Sequence, residues 1–234
     1  DDYLATAGGN KQLPAELEIR IWETKTLKPW HESLSGHSRL ITAIAYSPDG
    51  RQLASAGADG VFLWDLNQRT SRPLEQAELG AVSSIAYSSD SASLLTGDDQ
   101  GQITLWDLKT RTAILTKNAS DSAVRVVAFL SDRWVAAGDD TIVRIWKQGA
   151  LEQEFLGHTH AVTALVVSPD EKHVISSDSN GKIHIWSVSR GQSVYSLKAS
   201  NGTVTTIATI SNGRQLVTGG NDGVIRLWQL PFCD

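Results

Sequence analysis

The residues of this chain that could do chemistry recur as sets of histidine, serine and aspartate. His37, Ser55 and Asp59 form one set, and His158 with Ser176 forms another. A base, a nucleophile and an acid of these types could catalyse acyl transfer if their side chains met beside a substrate. The sequence has no Gly-x-Ser-x-Gly elbow, no Walker-type loop and no Gly-x-Gly-x-x-Gly motif to complete such a site. We therefore predict no catalytic residue, no enzyme activity and no cofactor.

A metal site is also not predicted. Gly157-His158-Thr159-His160 brings two histidines together, but no cysteine or second histidine pair has zinc-ligand spacing. The chain has one cysteine, Cys233, so no internal disulfide can form. A single thiol suits a reducing compartment, and we expect a cytoplasmic location.

The elements that carry these residues repeat along the chain. Six tryptophans end similar apolar segments at intervals of 40 or 42 residues: Trp22, Trp64, Trp106, Trp146, Trp186 and Trp228. Each interval contains four short strand-like segments separated by turn residues. In the second interval these begin with Leu40 to Tyr46 and Gln52 to Gly57, and both faces are apolar or small. Such strands are typical of sheets packed on both sides.

This period, with the dipeptides Trp64-Asp65 and Trp106-Asp107, resembles the WD40 repeat. The resemblance covers essentially the whole chain. It implies an all-β propeller with six Trp-terminated repeats, forming a single domain over residues 1–234 and an incomplete ring of six or seven blades. The first blade would lack its innermost strand and the last its outer strand, so we expect further chain upstream of Asp1.

The resemblance also implies a structural role for the histidine sets. In WD40 proteins a His, a Ser or Thr, an Asp and the Trp of one blade form a hydrogen-bonded tetrad. The implied members here are His37, Ser55, Asp59 and Trp64; His158, Ser176, Asn180 and Trp186; and Thr218, Asp222 and Trp228, with Ser200 in place of His. The third repeat keeps Thr96 and Trp106, whereas the fourth has Ala137 at the Ser position.

The function implied by the resemblance is a non-catalytic scaffold that binds peptides or subunits of a larger assembly. The alternative is the C-terminal sensor or regulatory domain of a longer multidomain enzyme or signalling protein. A net charge of −5 with scattered Lys and Arg argues against nucleic-acid binding. No apolar run approaches the roughly 20 residues that span a bilayer. We expect protein partners, without nucleic acid, a membrane span or a small-molecule substrate.

Four aspartates mark one candidate partner-binding surface. Asp98, Asp99, Asp139 and Asp140 fall in the turns before the Trp strands of adjacent blades, and these turns would share one rim. The cluster predicts a negative rim that attracts a basic segment of a partner. Aspartate is also favoured in solvated turns, so a purely structural interpretation stays open.

The first repeat provides the other candidate. Its turn before the Trp strand is about six residues longer than in the sixth and includes Asn10, Lys11 and Leu13. Insertions on a propeller rim are cheap for the fold and often carry binding, although a neutral insertion is an equal alternative. Trp30 is expected in the outer strand of this blade, where an exposed Trp would be a binding hot spot.

Overall fold

The computed structural model describes residues 2–8, 17–74, 80–210 and 213–230, and folds them into six antiparallel sheets arranged as the blades of a β-propeller. The predicted all-β propeller with six Trp-terminated repeats is confirmed. Blades two to five are complete meanders of four strands, counted from the channel outward. Blades one and six have three strands each within the described residues.

The strand bounds follow the chain blade by blade. Blade one contains β1 (Tyr3–Ala7), β2 (Glu18–Glu23) and β3 (Leu34–Ser35). Blade two contains β4 (Ile41–Tyr46), β5 (Gln52–Gly57), β6 (Gly60–Asp65) and β7 (Thr70–Leu74). Blade three contains β8 (Val82–Tyr87), β9 (Ser93–Asp98), β10 (Gln102–Asp107) and β11 (Thr112–Asn118). Blade four contains β12 (Val124–Leu130), β13 (Arg133–Gly138), β14 (Val143–Lys147) and β15 (Ala150–Phe155). Blade five contains β16 (Val162–Val167), β17 (His173–Asp178), β18 (Lys182–Ser187) and β19 (Gln192–Lys198). Blade six contains β20 (Val204–Ile210), β21 (Gln215–Gly220) and β22 (Ile225–Gln229).

Local sequence explains why each blade is a meander. The turn between β4 and β5 is closed by Ser47, whose hydroxyl donates to Asp49 and whose carbonyl accepts the Gly50 amide at 2.9 Å. Gly50 has a φ of 70°, a left-handed conformation that favours glycine. The second strand of this blade is buried on both faces from Leu53 to Gly57, as its small and apolar residues predict.

The core lies between neighbouring blades. Trp106 of blade three forms one cluster with Val61 and Leu63 of blade two, and Trp186 of blade five does the same with Val135 and Val143 of blade four. Each of these tryptophans thus fills the space between its own blade and the one before it. Because adjacent sheets contribute side chains to the same apolar clusters, neighbouring blades stabilise each other.

The innermost strands position the side chains that face the central channel. Each strand has a register shift at its second residue, where one extra residue bulges out of the ladder. The bulged residues are Thr42, Ser83, Arg125, Thr163 and Thr205. Thr42 donates to Ala56 O at 3.0 Å in its own blade and to Val82 O at 2.5 Å in the next. Ser83 and Thr163 repeat this bridge to the following blade.

Within the described ranges, no helix is long and apolar enough to cross a bilayer.

Candidate functional site

In blade two, the four predicted tetrad residues form one hydrogen-bonded network. His37 Nδ1 lies 2.7 Å from Asp59 Oδ1, His37 Nε2 lies 2.6 Å from Ser55 Oγ, and the Trp64 indole N–H donates to Ser55 Oγ at 2.8 Å. Burial opposes ionisation of Asp59, but the bonds from His37 and the Ser38 amide outweigh it and lower its pKa. The network joins the incoming loop, the second strand and the Trp strand.

Blade five has the same network with one correction. His158 Nδ1 pairs with Asp178 Oδ2 at 2.9 Å, so the acid is Asp178 and not the predicted Asn180, which is exposed. Ser176 Oγ lies 2.7 Å from His158 Nε2 and accepts the Trp186 indole N–H at 2.8 Å. Asp178 stands at the end of its strand, two residues before the aligned position. It reaches His158 from there while also accepting the amides of Asn180 and Lys182.

Blade six keeps the two halves of the network without the link between them. The Trp228 indole N–H donates to Thr218 Oγ1 at 3.0 Å, and Ser200 Oγ donates to Asp222 Oδ2 at 2.9 Å. A serine side chain is shorter than histidine and does not bridge the two pairs. Asp222 is also paired with Arg226.

The remaining blades retain only the bond to the tryptophan, or nothing. Trp106 donates to Thr96 at 3.1 Å, and Trp22 donates to Thr6 at 2.9 Å, a pair that the sequence alignment missed. In blade four the Trp146 indole N–H is buried without a partner. The register corrects the alignment of this blade. Ala136, not Ala137, pairs with Arg144 at the position where Ser176 pairs with His184.

The tetrads have the composition of a catalytic set, but a substrate cannot reach them. Ser55 and Ser176 are fully buried, and the oxygen of each accepts an indole N–H. Such a hydroxyl has no room for a substrate carbonyl, whereas a nucleophile must reach one. We conclude that each network stabilises its own blade and fixes the loop that forms part of the rim.

In each of the two intact tetrads, an aromatic side chain covers the histidine. Phe62 lies 4.5 Å from the His37 ring, and His184, at the same strand position in blade five, lies 4.7 Å from the His158 ring. His184 is buried and stacks on Trp186 at 4.7 Å. Burial, and then the neighbouring His158, lower the pKa of His184 to about 4. Its Nδ1 contacts Ser193, while its Nε2 has no hydrogen-bond partner.

The predicted acidic rim is corrected at Asp98. This side chain is 2% exposed because its carboxylate accepts the amides of Gly80, Gln100 and Gln102 within the turn. Asp99 is exposed and accepts the Ala81 amide at 2.9 Å. Of this pair, only Asp99 presents a charge to solvent.

The other two rim aspartates are paired with arginines. Arg125 donates from Nε and Nη2 to the two oxygens of Asp139, at 2.8 and 2.6 Å. This bond lowers the pKa of Asp139 below its ordinary value. Asp140 pairs with Arg144, which also binds Glu154. Apart from Asp99, the four predicted aspartates are buried or paired with arginine, so the rim is not the uniformly negative surface that the sequence predicts.

The rim surrounds one mouth of the central channel. An open depression of about 350 Å³ is lined there by Thr42, Ser83, Arg125, Asp139, Thr163, Thr203 and Thr205. These residues come from blades two to six, so one ligand in the depression would contact five blades. The hydroxyls of Thr42, Ser83, Thr163 and Thr205 all donate to main-chain carbonyls.

The blade-one candidates divide in two. Asn10, Lys11 and Leu13 lie outside the described residues. Trp30 lies before β3 rather than in it, and it is half-buried rather than exposed because it packs 4.7 Å from Tyr3 and against the blade-one core. Among residues 2–8, 17–74, 80–210 and 213–230, no three His, Cys, Asp or Glu side chains gather as metal ligands.

Comparisons with known proteins agree with this architecture. A family model described as "WD domain, G-beta repeat" matches residues 28–65, 149–187 and 191–229. A second, described as "Vps8 beta-propeller", matches residues 60–148.

Relatives extend the match along the chain. An uncharacterized WD repeat-containing protein of Synechocystis sp. is 26% identical over 80% of this chain. Cilia- and flagella-associated protein 52 of Chlamydomonas reinhardtii is 29% identical over 75% of it, and target of rapamycin complex subunit wat1 of Schizosaccharomyces pombe 28% over 91%. The chain spans 43%, 29% and 56% of the lengths of these three relatives.

Proposed function

Because this chain belongs to the family of WD40-repeat β-propellers, we propose that it is a non-catalytic scaffold that binds a peptide or subunit of a larger assembly at the channel mouth. The observation that carries the proposal is the depression shared by five blades. A segment bound there gains contacts from five blades at once, and the rim turns differ enough between blades to give specificity.

The chemistry around the mouth supports binding rather than catalysis. The mouth hydroxyls of Thr42, Ser83 and Thr163 are donated to carbonyl oxygens, and the histidines His37 and His158 are buried inside the tetrads. No described hydroxyl at the mouth is hydrogen-bonded to a histidine or carboxylate that could activate it. One relative is named as a subunit of the target of rapamycin complex, an assembly role that agrees with the proposal.

Fewer rim residues are available to attract a charged partner than the sequence predicts. Of the four predicted rim aspartates, Asp99 and Asp139 are exposed, and Asp139 is paired with Arg125. We propose that the partner presents a basic side chain to Asp99 and approaches Arg125 with a neutral or acidic one.

The test begins with affinity purification and mass spectrometry to identify the partner. Surface plasmon resonance with that purified partner then compares two double variants. One combines Asp99→Asn and Asp139→Asn, and the other combines Asp132→Asn and Glu152→Gln. The second pair removes the same charge from the opposite rim. Because rim charges act mainly on the association rate, we expect slower association only for the first pair.

Two outcomes would contradict the proposal. Equal association rates for both double variants would show that the partner does not bind at the mouth. Normal binding by the Asp99 and Asp139 variant, together with loss of binding by Trp30→Ala, would move it to the outer side of blade one.

The cytoplasmic location is also a proposal, and it rests on the single cysteine. Microscopy of a fluorescent fusion of the natural protein tests it, and a fusion confined to an organelle lumen would contradict it.

A further inference from the structure

A second polar surface lies on the rim opposite the channel mouth. A groove of about 330 Å³ opens between the outer parts of blades two and three. Its floor includes Leu63 and Leu108, and its walls include Asp65 and three cations, Arg72, Lys109 and Arg111. Because the turns after the Trp strands form this rim, the groove is independent of the mouth and goes beyond the proposed function.

The corresponding space is filled at the next two blade junctions. Arg72 pairs with Leu63 across the outer ladder, and the equivalent residues are Leu115 of blade three and Gln153 of blade four. Leu115 packs against Gly149 of the following blade, and Gln153 packs against Gly191. Neither glycine leaves room for a side chain, so both junctions are closed by direct contact.

The blade two–three groove stays open because this contact is replaced by like charges. Arg111 occupies the turn position of Gly191, with the same left-handed backbone at a φ of 60°. Arg72 and Arg111 therefore line one groove, whereas each of the next two junctions has an uncharged side chain against glycine. Two cations in one groove repel each other, and a bound anion relieves that repulsion.

The three cations of the groove form no ion pair with the described residues. Arg72, Lys109 and Arg111 are exposed, and none has an ion pair in the part of the chain that the structure describes. Asp65 already accepts the amides of Asn67 and Gln68, at 2.9 and 2.8 Å. Asp107 beside Lys109 likewise accepts the Thr110 amide at 2.7 Å.

We propose that this groove binds an acidic peptide segment of a partner protein, with two or more carboxylates on Arg72, Lys109 and Arg111. The arginine guanidinium groups match carboxylates in planar, bidentate geometry. The apolar floor accepts the aliphatic part of a Glu side chain, and Gln52, Gln68 and Thr70 on the walls offer hydrogen bonds to a peptide backbone.

A peptide fits these observations better than a polymeric anion. Nucleic acid is bound by a broad basic surface, whereas this chain carries a net charge of −5 and three cations in one narrow groove. A protein segment has the mixture of apolar, amide and carboxylate groups that the floor and walls complement.

The test uses a fluorescein-labelled peptide of alternating Glu and Ala, with a Gln and Ala peptide as its uncharged match. Fluorescence anisotropy compares the wild-type chain with the triple variant Arg72→Gln, Lys109→Gln and Arg111→Gln. The control variant, Arg39→Gln, Lys172→Gln and Arg190→Gln, removes the same charge from exposed cations elsewhere.

We expect the acidic peptide to bind the wild-type chain and the control alike, and the groove variant about tenfold more weakly or not at all. Binding should weaken as salt is added. A charge-reversed chain, Arg72→Glu with Arg111→Glu, should prefer a Lys and Ala peptide. All three sets of substitutions are exposed, so thermal melts should show unchanged folds.

Four results would overturn the proposal. They are absence of binding to the acidic peptide, equal binding of the Gln peptide, an equal loss in the control variant, and tighter groove-dependent binding of single-stranded DNA or anionic lipid vesicles. The mouth variants Asp99→Asn and Asp139→Asn leave this groove intact. Failure at one site is thus distinguishable from failure at the other.

Discussion

Blades five and four hold the same strand geometry by different means. In blade five, Trp186 is 1% exposed and its indole N–H leads into the chain of Ser176, His158 and Asp178. In blade four, Trp146 is 8% exposed, its indole N–H has no partner, and Ala136 stands at the ladder position that Ser176 holds in blade five. Both tryptophans nevertheless occupy the same place in the ladder. Apolar packing between blades therefore sets the fold, and the polar network adds stability and fixes the loop above it.

Blade four compensates at its surface instead. Arg144 takes the strand position of His184 and pairs with Asp140 and Glu154, while Arg125 pairs with Asp139. Partly exposed ion pairs contribute little stability because solvent and salt screen them. Of these side chains, Arg125 and Asp139 line the channel mouth. Loss of a buried network in this blade thus coincides with a more elaborate charged rim.

The largest expected effect is the loss of a tryptophan from the intact network. Trp186→Ala should lower the free energy of unfolding by about 3–5 kcal/mol, because a large buried aromatic is removed. Trp146→Ala should cost less, because its indole N–H has no hydrogen bond to lose. Chemical denaturation of both variants measures this, and equal losses would show that the network adds nothing to packing.

The next effect separates the two candidate acids of blade five. Asp178→Ala should cost about 3 kcal/mol, because His158 and two amides lose a buried acceptor. Asn180→Ala should stay within about 0.5 kcal/mol, since its side chain is exposed. Denaturant midpoints of the two variants decide the assignment. A larger loss for Asn180→Ala would restore the acid position that the sequence alignment predicts.

The histidine over the blade-five network should make stability depend on pH. Burial keeps the pKa of His184 at about 4 in the folded chain, below the ordinary value of 6.5. The unfolded chain therefore binds more protons between these values, and stability falls as pH falls from about 6.5 to about 4. We expect a loss of about 1–3 kcal/mol over this window after allowance for screening.

The matched variant is His184→Phe, which copies Phe62 of blade two and has no proton to gain. Its thermal midpoint should fall less than that of the wild-type chain between pH 7 and the acid end of the window. His160→Gln, an exposed histidine, should behave as wild type. Parallel curves for the wild type and His184→Phe would assign the acid sensitivity to the carboxylates alone.

The smallest effect should be a gain. Ala136→Ser places a hydroxyl where Ser176 stands in blade five and gives the Trp146 indole N–H an acceptor, worth about 1 kcal/mol. Ala137→Ser is the control. Ala137 lies in the apolar cluster shared with blade five, so a hydroxyl there should destabilise the protein. If Ala137→Ser stabilises and Ala136→Ser does not, the register argument is wrong.

The fold could be predicted from sequence because the buried residues of each blade recur at regular intervals along the chain. Tryptophan spacing and strands that are apolar or small on both faces predicted the innermost strand of blade two, which starts one residue later than expected, at Ile41. The site could be predicted less well because side-chain reach depends on turn geometry. Asp178 and Asn180 lie two residues apart and both carry a suitable oxygen, and only the folded turn selects between them.

The same limit applies to charge. Asp139 reads as one member of an acidic run, but strand register brings Arg125, 14 residues earlier, against it. Sequence analysis could have found this pair from one signal. Arg125 is the only bulged residue of the five inner strands that is not Ser or Thr, and a guanidinium at the channel needs a nearby carboxylate.

Among the four junctions between described inner strands, the arginine at this position leaves one without a hydroxyl bridge. Thr42, Ser83 and Thr163 each tie their blade to the next through a carbonyl of the following inner strand, whereas Arg125 turns away to Asp139. Within the described residues, blades four and five lack this hydroxyl bridge, and the turns that follow their inner strands are joined instead by the Ser131 hydroxyl, which donates to Glu171. We therefore expect these two inner strands to separate more easily than the other described neighbours, and Arg125, which lines the channel mouth, lies directly beside this junction.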